Sequence, residues 1–280
     1  MPHDPGAALR ALHRPGDPFV LANAWDRGSA RVLAALGARA IGTTSAGFAF
    51  TRGLPDGARV SLDETLAHAA DLVAATRLPV SGDLENGFAE APDGIARTIR
   101  RAAEAGLAGA SIEDTDLPGD GAYHFHLAVE RIRAAAAAAR KLPRDFVLVA
   151  RADGLMTGAY DLREAITRLE AFAEAGADCV YAPLLPDLAA VRTVCAAVPA
   201  PVNVLPTGAL AAASRADFAA AGVARISLGS GLARLVQAAL LGAGREILEQ
   251  GRFDAMARGA KGAEIDALLS RGAGEERAAR

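Results

Sequence analysis

A single unit recurs along this chain: an amphipathic helix, a glycine stop, a short loop and a buried apolar strand. Gly37, Gly106, Gly176 and Gly222 each close an alanine-rich helical run just before the next strand, in the contexts Ala-Ala-Leu-Gly-Ala, Glu-Ala-Gly-Leu, Glu-Ala-Gly-Ala and Ala-Ala-Gly-Val. Glycine ends a helix there because it takes the left-handed conformation at no steric cost. The spacing predicts strands over residues 19–22, 38–43, 79–83, 109–113, 146–151, 178–182, 201–204 and 224–228. These runs are apolar throughout, as in parallel strands buried on both faces. Between them the pattern predicts helices over 27–36, 61–76, 92–105, 126–141, 160–175, 187–198 and 209–220, with an eighth over 232–241. Asp26 and the Ser61-x-x-Glu64 capping box mark two of the starts. Eight such units are the number that closes a (β/α)8 TIM barrel, and a single domain of this length is ordinary for that fold. A doubly wound open sheet is the competitor, but no G-x-G-x-x-G follows the first strand, and the charged strand ends are spread around the count.

The units occupy residues 1–245, the expected catalytic barrel domain. Residues 246–280 form an expected helical extension, with a polar helix near Ala263 to Leu269, a face for a neighbouring subunit and a disordered charged tail from Gly272. A hydrophobic fraction of 51% supplies a large core, and with aromatics at only 5% the helices must pack through small side chains. The net charge of -3 is spread without single-sign blocks, which argues against nucleic acid or an anionic membrane surface as partner. Charged residues interrupt every apolar stretch below the ~18 residues a membrane helix needs. Cys179 and Cys195 lack CxxC spacing and read as buried free thiols in a reducing compartment. The expectation is a cytoplasmic enzyme acting on small molecules.

Several strands run straight into charge. Pro79-Val-Ser-Gly-Asp-Leu-Glu-Asn-Gly-Phe88 ends in Asp83 and Glu85, two apart and so on one side of a strand; Gly109-Ala-Ser-Ile-Glu-Asp114 and Phe146-Val-Leu-Val-Ala-Arg-Ala-Asp153 do likewise. Barrel active sites lie at the C-terminal ends of the strands, which makes these residues candidates by position. Strand ends and the loops after them also supply Asn23, Trp25, Asp26, Thr43, Asp56, Tyr181 and Asn203. Asp83, Glu85 and Glu113 offer an oxygen-rich site for Mg²⁺, with Mn²⁺ an alternative, because Mg²⁺ keeps several waters and needs few protein carboxylates. The bland reading is a buried ion network between these acids and Arg151. Ser45-Ala46-Gly47 reads as a tight loop whose amides could hold a carboxylate, or as a plain turn. Arg151 is suited to a carboxylate or an enolate oxygen. Asp56 fits both a substrate contact and simple turn chemistry, and Trp25 fits both packing and ligand contact.

Val80-Ser-Gly-Asp-Leu-Glu-Asn-Gly-Phe88, Ser111-Ile-Glu-Asp114, Ala150-Arg-Ala-Asp153, Asn23-Ala-Trp-Asp26 and Thr43-Thr-Ser-Ala-Gly47 together resemble the isocitrate lyase/phosphoenolpyruvate mutase superfamily, in register over about residues 17–245. The resemblance implies a (β/α)8 barrel, commonly a helix-swapped tetramer, with Mg²⁺ near Asp83, Glu85 and Glu113. It also implies a substrate carboxylate on the Ser45, Ala46 and Gly47 amides, with Arg151 and Asp56 contacting substrate or metal-bound water. The chemistry of that family makes or breaks a bond next to a 2-oxo carboxylate through a metal-stabilised enolate.

The chain departs from the pattern after the fourth strand. Where the lyases of the superfamily carry a Lys-Lys/Arg-Cys-Gly-His loop, Thr115-Asp-Leu-Pro-Gly-Asp-Gly-Ala-Tyr-His-Phe-His126 has neither cysteine nor lysine, which points away from a true isocitrate or methylisocitrate lyase. The Lys-x-x-Asn-like element of the phosphonate mutases and hydrolases is absent too, and Glu85 stands where the usual Asp-x-Asp pair has its second aspartate. The expected activity is a Mg²⁺-dependent lyase or decarboxylase of a small 2-oxo or 2-hydroxy di- or tricarboxylate, with Tyr123, His124 or His126 moving the proton and with a homo-oligomer, dimer or tetramer, as the assembly. A phosphonopyruvate-type mutase or hydrolase and a non-catalytic carboxylate-binding barrel are the alternatives.

Overall fold

A computed structural model describes residues 4–57, 59–119 and 121–273. Eight parallel strands, β1 (Phe19–Asn23), β2 (Ile41–Gly42), β3 (Val80–Asp83), β4 (Gly109–Glu113), β5 (Val147–Arg151), β6 (Cys179–Tyr181), β7 (Val202–Val204) and β8 (Arg225–Ser227), follow one another around a closed barrel. β8 returns to β1 through the pairs Phe19–Arg225 and Leu21–Ser227. The expected (β/α)8 barrel is the fold.

Among the described residues twelve α-helices accompany the strands: α1 (Pro5–Arg10), α2 (Arg27–Ala35), α3 (Ser45–Thr51), α4 (Leu62–Ala75), α5 (Pro92–Glu104), α6 (Phe125–Arg140), α7 (Gly154–Thr157), α8 (Leu162–Glu174), α9 (Leu188–Ala197), α10 (Arg215–Ala220), α11 (Gly231–Gln250) and α12 (Gly262–Gly272). Local chemistry sets their starts. Asp26, expected as an N-cap, and Ser61, expected as a capping box, both form capping boxes, and Asp161 and Asp187 cap α8 and α9, each worth about 1 kcal/mol.

Two apolar layers result. Alternate strand residues Leu21, Val147, Val149 and Cys179 fill the barrel interior with Phe19 and Leu9, while Ile41, Val80, Ile112, Leu148 and Val180 pack outward against the helices. α1 closes the bottom. Its Leu9 enters the interior, Arg10 binds Asp145 and Asp178, and Gly6 lies so close to the Asp145 carbonyl that a Cβ would come within 1.8 Å of its oxygen.

Four expectations change. The strand expected over 38–43 shrinks to Ile41–Gly42, because Ala38 is still bonded to the end of α2 through the Leu33 carbonyl. The Ser45–Gly47 loop is instead the head of α3, begun by Thr44, whose Oγ1 accepts from the Gly47 amide at 3.3 Å. The helix expected over 209–220 divides into a 3-10 turn, Gly208–Ala212, and α10, because Ser214 and Asp217 form a capping box that starts a new helix. α11 runs on past residue 241 to the left-handed Gly251, so the boundary drawn at 245 falls inside it. α12 packs on α2 of its own chain, with Gly272 against the Arg31 carbonyl. The tail beyond residue 273 lies outside the described residues.

Candidate active site

The register of the barrel places the charges before any side chain is considered. Glu113 pairs with Arg151 across β4 and β5, Arg151 pairs with Tyr181, and Asp83 pairs with Ser111. The Arg151 guanidinium then sits among three acids: Nη1 is 3.0 Å from Asp83 Oδ1, Nη2 is 3.1 Å from Glu113 Oε2, and Nε donates to Asp153 Oδ1 at 3.0 Å. Burial works against that charge, but Asp153, Glu113 and Asp83 outweigh it and hold the guanidinium protonated. Glu113 is pushed well above the usual carboxylate range, by burial first and then by Asp153, Asp83 and Glu85, with Arg151 pulling the other way.

A second layer keeps these groups in place. Asp114 accepts from the Asp153 amide at 2.8 Å, from Tyr160 Oη at 2.7 Å and from Arg168 Nη1 at 3.0 Å, which ties the end of β4 to the end of β5 and to α8. Gly154 makes room for that tyrosine, since a Cβ there would lie 2.1 Å from its ring. Asp83 Oδ2 accepts from both the amide and the hydroxyl of Ser45, each at 3.0 Å, and the Asp83 amide donates to Thr43 Oγ1 at 2.7 Å. Glu85 holds a left-handed backbone, φ 46°, immediately after β3. A side chain disfavours that conformation by about 1 kcal/mol or more, which is the kind of strain concentrated at functional positions.

Above these residues lies a cavity of about 410 Å³ at the C-terminal rim, lined by Thr43, Ser45, Ala46, Asp56, Asp83, Glu85, Glu113 and Arg151 among others. Asn23 and Tyr181 line it as well, whereas Gly47, Trp25, Asn203, Tyr123, His124 and His126 do not. Gly47 stands behind the head of α3, where a Cβ would press on Trp25 at 3.0 Å, so Trp25 packs there and offers its carbonyl to His68 at 2.9 Å. Asn203 is fully buried and donates to Ser227 Oγ at 2.8 Å, supporting a lining residue from behind. Tyr123 bonds Asn86 at 3.2 Å and lies under the Arg131 guanidinium at 3.9 Å, while His124 and His126 are exposed near the start of α6. None of those three lines the cavity; Thr115, Leu117 and Gly119 reach it from the same loop. Ser81, Ser111, Arg225 and Ser227 also line it and were not singled out from the sequence. Period-two alternation in β4 and β8 is the signal that would have found them.

The donor chemistry suits a hard divalent cation. Asp83, Glu85, Glu113 and Asp153 bring carboxyl oxygen donors together beside the Arg151 guanidinium at the cavity. Among the described residues no three His, Cys, Asp or Glu side chains are arranged to ligate one ion alone. A cation here would keep water and substrate oxygens in most of its shell, as Mg²⁺ does.

A closed barrel whose rim gathers acids around a fixed arginine defines a class of enzyme acting at the strand ends. The family model for phosphoenolpyruvate phosphomutase matches residues 9–248. The 2-methylisocitrate lyase of Escherichia coli is 32% identical over 208 residues, 71% of this chain and 69% of that protein. A Burkholderia cenocepacia structure assigned only as a lyase or mutase is 46% identical, with a TM-score of 0.89 over 95% of each chain. The structure of 2,3-dimethylmalate lyase is 27% identical, with a TM-score of 0.83 over 99% of this chain and 97% of that one. The chain belongs to the isocitrate lyase/phosphoenolpyruvate mutase superfamily.

Proposed function

We propose that this enzyme is a Mg²⁺-dependent lyase that cleaves a carbon-carbon bond in a small 2-oxo or 2-hydroxy di- or tricarboxylate, by retro-aldol, retro-Claisen or decarboxylative cleavage. The observation that carries the reading is the acid cluster around Arg151, buried at the rim yet open to a cavity of small-molecule size. Relatives named for 2-methylisocitrate and 2,3-dimethylmalate support a carboxylate substrate and bond cleavage.

When bound beside Asp83, Glu85 and Glu113, Mg²⁺ would supply a Lewis acid to the substrate's oxygens. The chain's own residues do the rest. Ser45 fixes the Asp83 carboxylate through its amide and hydroxyl, Thr43 fixes the Asp83 backbone amide, and the Ala46 backbone at the head of α3, on the cavity wall, presents its amide to the substrate carboxylate. Arg151 provides a permanent positive charge beside the oxygen that becomes an enolate, in a site where preorganised charge has its largest effect. Asp56 stands at the lip, where partial desolvation of its carboxyl, and then the nearby Asp83, raise its pKa against the pull of the Gly57 amide and Arg151. It is the acid or base best placed over the cavity, ahead of Tyr123 and His124.

Catalysis belongs to the barrel, and residues 246–280, with α11, serve assembly of a cytoplasmic homo-oligomer, a dimer or tetramer. Exposed Leu235, Val236, Leu240, Leu241 and Leu248 on α11, with Phe253 and Met256 after it, support that assignment.

The test is incubation with a panel of 2-oxo and 2-hydroxy di- and tricarboxylates plus Mg²⁺, read by NMR for keto acid release, with EDTA abolishing turnover and Mg²⁺ or Mn²⁺ restoring it. Phosphate release from phosphonopyruvate would replace the lyase reading with a phosphonate one. Calorimetric binding of carboxylates without turnover would replace it with a binding barrel.

A further inference from the structure

Arg225 interrupts the apolar run Val223 to Leu228 at the start of β8. Strand alternation turns Arg225 and Ser227 toward the barrel axis and Ile226 outward into the helix layer. The arginine is only 5% exposed, yet it lines the cavity that holds Asp83 and Arg151. It enters that cavity two residues before Ser227, roughly 7 Å deeper along the strand.

Other buried guanidinium groups of the barrel have acceptors for most of their donors, although Arg131 Nε and Arg144 Nη1 have none among the described residues. Arg151 is spent on Asp83, Glu113 and Asp153, Arg168 on Asp114 and Glu164, and Arg131 on the carbonyls of Asn86 and Ala89. Arg225 lacks an acceptor among the described residues at both Nε and Nη1, and unlike Arg131 and Arg144 it lines the cavity. Asn203 Oδ1, beside it in the β7–β8 register, and Ser81 Oγ, on the cavity wall, are also buried and unpartnered. Nearby Cys179 has its thiol pushed up to about 12 by burial, so it supplies no anion. Buried donors without acceptors are costly, and their presence on a cavity wall marks a place for a ligand acceptor.

We infer that Arg225 receives the second carboxylate of the substrate deep in the barrel, while the 2-oxo or 2-hydroxy carboxylate lies at the rim by Ser45, Asp83 and Glu113. The inference rests on the lyase reading for the orientation of the substrate and adds its specificity: Arg225 selects diacids over monoacids of the same length. A substrate lacking that carboxylate leaves a buried guanidinium unmet, the situation in which polar sites discriminate most strongly.

The test is titration calorimetry with Mg²⁺ present, comparing malate with 2-hydroxybutyrate, which carries a methyl group where malate has its second carboxylate. The wild-type enzyme is expected to bind malate about tenfold or more tightly than 2-hydroxybutyrate. Arg225→Met should reduce the preference to within about twofold through loss of malate binding alone, and Arg225→Lys should keep part of it. Thermal melts accompany each variant; if Arg225→Met does not fold, Arg225→Lys must by itself narrow the preference severalfold. A preference that survives substitution, or is absent from the wild type, overturns the inference and leaves Arg225 a structural group hydrated by buried water. The outcomes are separable from the lyase reading. Preference dependent on Arg225 without any turnover removes the lyase alone, whereas turnover with a preference unchanged in Arg225→Met removes the role of Arg225 alone.

Discussion

Glu113 and Arg151 stand opposite each other on neighbouring strands, and the 3.1 Å contact between Oε2 and Nη2 joins a guanidinium that also binds Asp83 and Asp153. One planar cation therefore organises three acids, two of them buried, a task that requires donors fixed in several directions. Lysine offers a compact charge without that fork. Arg151→Lys is expected to fold and to lose on the order of 100-fold in kcat/KM, as removal of one preorganised donor does elsewhere. Arg151→Ala strands the acids and should cost about 3–5 kcal/mol of stability, so inactivity in that variant would report unfolding. Steady-state kinetics with a thermal melt on each variant separates the two.

Asp114 works one step further from the cavity. It binds the Asp153 amide, the Tyr160 hydroxyl and the Arg168 guanidinium while 2% exposed. Asp114→Asn should destabilise the barrel by roughly 1.5–3 kcal/mol, the range for a hydrogen bond to a charged group, and Tyr160→Phe by about 1 kcal/mol. Chemical denaturation measures both. Equal losses in the two variants would show that the Arg168 pair contributes nothing beyond the phenol bond.

The barrel was legible because helix stops and strand starts are local events: Gly37, Gly106, Gly176 and Gly222 all adopt positive φ where the sequence placed the stops. The acids and Arg151 were legible for the same reason, since each ends an apolar run. What escaped depends on tertiary placement. Tyr123 has the chemistry of a proton donor, but Asn86 and Arg131 hold it away from the cavity. Arg225 was hidden because an arginine opening an otherwise apolar strand announces nothing until the barrel closes and leaves its donors facing inward. α3 was hidden because seven residues led by Thr44 give a weak helical signal, and α11 outran its expected end because Gly242 and Gly244 lie inside it, at a tolerable cost of about 1 kcal/mol each.

His13 links pH to stability at the barrel floor. Its Nδ1 donates to the Leu9 carbonyl at 3.0 Å, and its Nε2 is buried with no partner among the described residues. Burial, with Arg225 adding repulsion, lowers its pKa from 6.5 to about 3. The folded state thus keeps this ring neutral while the unfolded chain protonates it. Stability is intact above pH 6.5 and declines as the pH falls toward 3, with a slope of at most about 1.4 kcal/mol per pH unit from this one group. Urea titrations between pH 7 and pH 5 should show the decline, and His13→Asn, which keeps a donor for Leu9, should flatten it. An unchanged slope in the variant would assign the decline to other groups.

α11 presents Val236 and Leu240 one turn apart, with Leu235, Leu241 and Leu248 beside them, all more than half exposed, on a helix whose buried residue is Ala233. Leaving such a surface in water is unfavourable by about 25 cal/mol per Å² of apolar area, and a second copy of the chain is the cover that would remove it. In a symmetric assembly one substitution acts on every copy of the interface, so its effect is amplified. Leu240→Glu combined with Val236→Lys should convert the proposed oligomer to monomers, seen by light scattering at micromolar concentration. The circular dichroism of the barrel should persist, because neither residue supports the core. A wild-type protein that is monomeric under the same conditions would remove the assembly role assigned to this helix.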